Sequence, residues 1–281
     1  MSNVGNSLFC FGLGYSARVL ADRLRARGWT VTGTSRNGAD GTIAFDGEGD
    51  LPGAALDGVT HILVSAPPDA RGDPVLRRCR DELVARAHQL AWVGYLSTTG
   101  VYGDHGGGWV DEDTPPAPLS ERAVRRAEAE EAWLALARDH GLPVQVFRLA
   151  GIYGPGRNQL AAVANGTAKR IIKPSQVFSR IHVTDIAGLL EASIANPNPG
   201  RVYNVADDEP APPQDVVAFA AELLGCPPPP EVPFEAAELS PMGRSFYAES
   251  KRVDNRRIKQ ELGYTLVYPT YREGLTALHR T

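Results

Sequence analysis

The apolar positions of this chain follow two rhythms. Leu8 to Phe11, His61-Ile62-Leu63-Val64, Ala91 to Leu96 and Val144 to Leu149 are short, nearly unbroken apolar runs. Runs of that length, bounded by glycine, proline or polar residues, predict strands buried on both faces. Between them the spacing changes. Ala17, Leu20, Ala21 and Leu24 recur at intervals of three and four, and Leu76, Cys79, Leu83, Ala87 and Leu90 step by three, four, four and three. Each set draws one apolar stripe along a helix. Ser120 to Asp139 predicts a longer helix, with Glu and Arg on one side and Ala, Leu and Trp133 on the other. Gly141 closes it and Pro143 blocks its continuation. Trp29 to Thr34 is a further strand, and Thr42 to Asp46 a short one.

Strand and helix therefore alternate up to Leu149, which argues for a mostly parallel sheet covered on both faces. From Ala150 the alternation breaks down. Residues 151–156 read as a loop and 158–170 as a short helix. A strand at 181–183, a helix from Thr184 or Asp185 to Ala195 and a strand at 201–205 follow. Residues 215–224 form a helix closed by Gly225, Pro227 to Pro230 a stiff polyproline linker, and 253–262 a final helix ending at Gly263. There is no internal repeat. The predicted architecture is α/β, a Rossmann-type doubly wound parallel sheet with a smaller C-terminal substrate-binding lobe. Residues 1–155 and 175–205 would build the sheet domain, and 156–174 and 206–281 the lobe.

The first strand runs straight into Gly12-Leu13-Gly14-Tyr15-Ser16-Ala17. Strand, Gly-x-Gly-x-x-Ala turn, helix and second strand are the context that a dinucleotide fingerprint requires. Gly12 permits the tight turn, Gly14 lets the backbone approach a pyrophosphate, and Ala17 lets helix and strand pack closely. The helix N-terminus offers free N–H groups to the phosphates. The alternative is a tight turn in an ordinary α/β domain. The second strand ends in Thr34-Ser35-Arg36, without the Asp or Glu that usually holds the ribose 2′-hydroxyl of NAD. Arg36 beside Ser35 suits a 2′-phosphate, so NADP is favoured over NAD; otherwise Arg36 is a solvated loop charge. Ala66 and Pro67, after the His61–Val64 strand, should border the nucleotide, or else form a rigid loop.

Composition narrows the setting. The chain has 281 residues and a formal net charge of -4, with no basic tail, so nucleic acid is not the expected partner. No apolar run is long enough to span a bilayer, and Met1 to Asn6 lacks the basic and apolar regions of a signal peptide. A cytoplasmic location follows as an expectation. Cys10, Cys79 and Cys226 form no disulfide framework, and Cys10 and Cys79 read as core residues. The six histidines show no ligand spacing, so no metal is predicted.

Seven motifs, the opening turn among them, occur in a telling order. Gly12-x-Gly14-x-x-Ala17 is followed by Ser97-Thr98-Thr99-Gly100-Val101-Tyr102-Gly103 and Asp111-Glu112-Asp113-Thr114-Pro115-Pro116. Then come Arg148-x-x-x-Ile152-Tyr153-Gly154-Pro155-Gly156, Ile181-His182-Val183-Thr184-Asp185-Ile186-Ala187, Tyr203-Asn204-Val205 and Ser250-Lys251-Arg252. Over almost its whole length the chain resembles the extended short-chain dehydrogenase/reductase superfamily, the NAD(P)-dependent epimerase/dehydratase group. That resemblance implies a Ser or Thr that orients the substrate oxygen, here Thr98. It also implies a Tyr-x-x-x-Lys pair at the start of the next helix. The segment Pro118 to Glu128 contains neither Tyr nor Lys. Arg122 stands at the Tyr place and Arg126 at the Lys place. A guanidinium with pKa above about 12 can bond a ribose or an anion but cannot relay a proton. Tyr102, Tyr153, Glu121 and His182 are the substitutes to weigh, and packing, capping or local pairing is the plainer reading of each. Thr99 and Gly100 stand where sugar 4,6-dehydratases carry Asp and Glu, so a dehydratase mechanism is not expected.

Two functional readings follow. In one, the chain is an NADP-dependent oxidoreductase or epimerase with a non-standard site, in which Thr98, Arg122 and Arg126 serve a small-molecule substrate, anionic or a nucleotide sugar. In the other, it binds NADP without turnover, as a redox sensor or scaffold. Loops 104–118 and 151–180 and residues 206–250 should set substrate identity. Lys169, Lys173, Arg180 and Arg244 are anion candidates there, or solvated charges. The resemblance also implies dimerisation through long helices, including 120–139, leaving monomer and homodimer both open.

Overall fold

A computed structural model describes residues 6–280. Residues 1–5 and 281 lie outside it, and with them most of the stretch read for a signal peptide. The chain first forms strand β1 (Ser7–Phe11), helix α1 (Tyr15–Ala26), β2 (Thr30–Ser35), β3 (Ile43–Ala44), β4 (His61–Val64), α2 (Pro74–Ala85) and β5 (Trp92–Thr98). There follow β6 (Trp109–Val110), α3 (Glu121–His140), β7 (Val144–Leu149), β8 (Gly151–Tyr153), α4 (Gln159–Ala164), β9 (Arg170–Ile172), β10 (Arg180–His182) and α5 (Val183–Ala195). The chain continues with β11 (Val202–Val205), α6 (Pro213–Leu223), β12 (Glu231–Pro233), α7 (Pro241–Phe246), β13 (Arg252–Val253), α8 (Arg256–Leu262) and α9 (Tyr271–His279).

Seven strands form one parallel sheet in the order β11-β7-β5-β4-β1-β2-β3. Alternation along β1 shows how both faces are filled. Leu8 and Cys10 enter a cluster with Leu20, Ala21 and Leu24 of α1 and Ile186 and Leu190 of α5. Phe9 and Phe11 enter a second cluster with Val75, Cys79 and Leu83 of α2 and Trp133 and Leu136 of α3. Successive strand residues point to opposite faces, so an unbroken apolar run serves two helical layers at once. Cys10 and Cys79 are both buried, as a core reading requires, and Cys226 is exposed. A third cluster, with Leu160, Val216, Ala220, Tyr271 and Leu275, joins α4, α6 and α9 beside the sheet. Helix α8 lies within the span assigned to the lobe, yet its Ile258 and Leu262 belong to the first cluster, against the sheet.

Several boundaries differ from the sequence reading. The helix read from Leu76 to Leu90 starts at Pro74, because Asp73 caps it by accepting the N–H groups of Val75 and Leu76, both at 2.9 Å. It stops at Ala85, and a separate 3-10 turn covers Ala87–Gln89. The helix read over 158–170 ends at Ala164. Residues Arg170–Ile172 instead form β9, paired with the β12 strand that follows the polyproline segment. The helix read over 253–262 starts only at Arg256, because Val253, with Arg252, pairs with Trp109–Val110. The Ile181–Val183 strand is shifted to Arg180–His182, and His182 Nδ1 caps α5 by accepting the Thr184 N–H at 3.2 Å. Helix α9 is absent from the sequence reading, although Tyr271, Leu275 and Leu278 fall at helical spacing and Thr270 and Glu273 form a capping box at its start.

One buried acid ties the C-terminal segment to the first layer. Asp185 of α5, 0% exposed, accepts the Tyr264 hydroxyl at 2.9 Å and the N–H groups of Val267 and Tyr268 at 2.6 and 3.1 Å. Among the described residues no helix is long and apolar enough to cross a membrane.

Candidate functional site

Strand β1 lies between β2 and β4, so the sheet is built outward in both directions from it. The crevice at the carboxyl ends of β1 and β4 is the position where such sheets take ligands. Gly12 follows β1 with φ of 86°. A Cβ there would stand 3.0 Å from the Ala66 nitrogen, so the turn closes directly on the end of β4. Ser65 and Ala66 both donate to the Phe11 carbonyl, at 2.8 and 2.9 Å. From the other side, Thr34 Oγ1 accepts the Gly12 N–H at 3.0 Å, and the Thr34 carbonyl accepts that of Leu13 at 2.7 Å. Ala66 thus borders the turn and Pro67 lies exposed just beyond it.

Helix α1 opens at Gly14 without a side-chain cap and without an acid in its first turn. The first bond into the helix is from the Arg18 N–H to the Gly14 carbonyl, at 2.8 Å. The Gly14 N–H turns back to the Gly12 carbonyl at 2.8 Å, so the N–H groups of Tyr15, Ser16 and Ala17 are those left to a ligand, and the helix dipole favours an anion there. A Cβ on Gly14 would meet nothing within 4 Å, so the space in front of it is open. Ser16 and Ala17 are buried behind the opening. Tyr15 is half-buried beside it, its hydroxyl donating to the Pro155 carbonyl at 3.0 Å. The residues present therefore fit a diphosphate.

At the end of β2, Arg36 is exposed. Ser35 Oγ lies 2.6 Å from Thr42 Oγ1 and 3.4 Å from Asn37 Oδ1. Arg18 is a second cation at this end that the sequence reading passed over. It pairs with Asp40 at 2.8 Å.

The end of β5 carries Thr98, whose Oγ1 accepts the Gly100 N–H at 3.2 Å. Next to it, Ser97 donates to Glu130, and Arg148 binds the same carboxylate at 2.8 and 3.1 Å. Arg148 also lies 4.8 Å above the Tyr102 ring, and the Tyr102 hydroxyl donates to Asn204 Oδ1 at 2.7 Å. This buried network fixes the strand end that presents Thr98. Glu130 was not singled out from the sequence, though an acid on the inward stripe between Ala123 and Trp133 was a visible signal.

The two arginines of the altered motif differ sharply. Arg122 is exposed in the first turn of α3. Arg126, one turn on and half-buried, donates through Nη1 to the Tyr95 hydroxyl at 3.0 Å and the Leu96 carbonyl at 2.9 Å. The other acid–base candidates are engaged. Burial pushes the Tyr102 phenol up to about 12 and raises that of Tyr153, which donates to the Thr270 carbonyl at 3.4 Å. Burial pulls His182 down to about 4. Ser120 caps α3 by accepting the Ala123 N–H at 3.2 Å, and Glu121 pairs with Arg125 at 2.8 Å. The basic side chains of the lobe bind backbone carbonyls: Lys169 that of Glu238, Lys173 that of Tyr247, Arg180 those of Phe178 and Ala211, and Arg244 that of Ala237. Of these four, Lys169 and Arg244 are exposed and Lys173 and Arg180 half-buried.

Comparison with known proteins agrees with this fold. The model of the NAD dependent epimerase/dehydratase family matches residues 80–206. The Escherichia coli K12 protein YeeZ is 32% identical, over 92% of this chain and 94% of its own length. A structure described as a functionally unknown conserved protein from Silicibacter pomeroyi is 55% identical, with a TM-score of 0.90 over 98% of both chains. Two more distant structures share the fold. Bacillus anthracis dTDP-glucose 4,6-dehydratase, in complex with NAD, is 20% identical with a TM-score of 0.80, over 98% of this chain and 96% of that one. The human epimerase family protein SDR39U1, with NADPH, is 20% identical with a TM-score of 0.77, over 98% and 99%. The chain belongs to the NAD-dependent epimerase/dehydratase family, within the extended short-chain dehydrogenase/reductase class.

Proposed function

We propose that the chain is an NADP-dependent oxidoreductase or epimerase whose site replaces the Tyr-x-x-x-Lys pair with Arg122 and Arg126. The observation that carries the cofactor half is the open space before Gly14 at the start of α1, with Arg36 exposed at the end of the adjoining strand. Gly12, Leu13, Gly14, Tyr15, Ser16 and Ala17 would seat the diphosphate, Ser35 and Arg36 the 2′-phosphate, and Ala66 and Pro67 the nucleotide's flank. Distant relatives of this fold carry NAD or NADPH, which supports a nicotinamide cofactor of either kind. The choice of NADP rests on Arg36.

A bound nicotinamide would supply or accept the hydride. Thr98 would orient the substrate oxygen through its hydroxyl. Arg122, exposed at the mouth, would hold a carboxylate or phosphate of the substrate by bidentate bonding. Arg126 would keep the Tyr95–Leu96 strand end fixed and present a permanent cation to the ribose. For a carbonyl substrate, hydride adds to carbon and a proton from water completes the alcohol, because neither guanidinium can donate one. The test is NADPH oxidation against carbonyl acids and nucleotide sugars. Turnover lost in Thr98→Ala and raised in KM in Arg122→Ala supports this reading. Turnover indifferent to both would move the chemistry elsewhere.

A second reading is favoured by one observation: Tyr102, Tyr153 and His182 are all engaged in packing or capping. A dinucleotide-binding protein without turnover, acting as a redox sensor or scaffold, needs no acid–base group. It predicts tight NADPH binding with no hydride exchange, and a partner whose affinity changes with cofactor oxidation.

A further inference from the structure

The turn at residues 154–157 is fastened from three sides. Gly154 and Arg157 exchange backbone hydrogen bonds at 2.9 and 3.0 Å. Asn158 Nδ2 donates to the Gly154 carbonyl at 2.8 Å. Tyr15 donates to the Pro155 carbonyl at 3.0 Å. The contact with Tyr15 is close, since a Cβ on Gly154 would stand 2.6 Å from the Tyr15 hydroxyl oxygen. Tyr15 is the first residue of α1, so the turn is docked on the residue that opens the helix. Arg157 is exposed, and among the described residues its guanidinium has no hydrogen-bond or ion-pair partner. Burial raises the Tyr15 phenol pKa and the Arg157 charge opposes that rise, so the cation acts on the same side chain that docks its turn. By contrast Arg18, also near α1, is already paired with Asp40.

We infer that Arg157 clamps the diphosphate of a dinucleotide seated on the N-terminus of α1, with Tyr15 as the positioning residue that docks its turn. This rests on the cofactor reading above and adds to it a part of the site contributed from beyond β8. A cation that is unpaired and carried on a fastened turn needs no rearrangement of the backbone to meet the anion. The labour is divided: Arg36 addresses the 2′-phosphate and Arg157 the diphosphate.

The experiment is a calorimetric and fluorescence titration of the full chain with NADPH and with adenosine 2′-monophosphate, which lacks the diphosphate. Arg157→Ala is expected to weaken NADPH by about tenfold, the size of one charge-assisted contact, and to leave adenosine 2′-monophosphate unchanged. Arg157→Lys should fall between. Tyr15→Phe should weaken NADPH a few-fold in the parent and add nothing in the Arg157→Ala background, because the two then act as one unit. Parent-like NADPH binding by Arg157→Ala overturns the clamp, as does an equal loss of both ligands. Independent, additive losses overturn the positioning role of Tyr15. A parent protein that takes up no NADPH overturns the cofactor reading itself, and this role with it.

Discussion

The Arg126 guanidinium is fastened to the strand beneath it, with Nη1 3.0 Å from the Tyr95 hydroxyl and 2.9 Å from the Leu96 carbonyl. A side chain expected to serve the ribose thus already holds the end of β5. Arg126→Leu would leave both acceptors without their donor. It should cost about 1–3 kcal/mol in urea denaturation, with Arg126→Lys losing less. Unchanged stability in the leucine variant would show that these bonds contribute nothing net.

The two glycines of the opening turn separate folding from binding. Gly12 has φ of 86° and faces the Ala66 nitrogen, so Gly12→Ala strains the turn and should cost about 1–2 kcal/mol. Gly14 has φ of -94° and free space where a Cβ would go. Gly14→Ala should therefore keep the melting temperature close to the parent's, within the cost of about 1 kcal/mol for alanine at a helix start. It should nevertheless lose NADPH in titration, because the new methyl occupies the approach of the diphosphate. NADPH binding retained by Gly14→Ala would remove the diphosphate from this position.

The contrast between these residues shows what the chain discloses about itself. Gly12, Gly14 and Ala17 are legible because turn, helix and flanking strands are contiguous and periodic. The place of Arg126 is legible from spacing to the helix start. Its attachment to Leu96 is not, because a guanidinium on half-buried ground has several acceptors within reach, and only packing selects one. The pairing of Trp109–Val110 with Arg252–Val253 leaves no local trace. Two-residue strands have no period, and their partners stand more than half a chain apart. Helix α9 was legible too, since the Thr270 to Glu273 box opens a stripe of Tyr271, Leu275 and Leu278 at helical spacing.

Arg36 carries the cofactor choice. Arg36→Ala should reduce NADPH affinity by about 10-fold or more, as expected for loss of a charge-assisted phosphate bond, and leave NADH unchanged. Titration of both nucleotides with both proteins checks it. If NADH binds the parent as tightly as NADPH, and the substitution alters neither, the 2′-phosphate is not read here.

His182 should make stability depend on pH. Its imidazole is held neutral in the fold with a pKa near 4, against an ordinary value of 6.5. The unfolded chain therefore binds the extra proton first. The contribution is complete above about pH 6.5 and is lost as pH falls toward 4, by about 3 kcal/mol at most. Denaturation at pH 7 and pH 5 should show the parent losing more than His182→Asn, in which the asparagine can still cap α5. Equal losses would mean that His182 titrates normally.

The Asp185 carboxylate also bears on the order in which the chain is made. Its donors Tyr264, Val267 and Tyr268 lie 79, 82 and 83 residues further along. During synthesis α5 emerges long before them. Docking it early would bury an acid with nothing to satisfy it, at a cost of several kcal/mol. Full burial of Asp185 is therefore expected only once residues 264–268 are in place. The Leu8 and Cys10 side of β1 is sealed by residues as far along the chain as Leu266, which share its cluster.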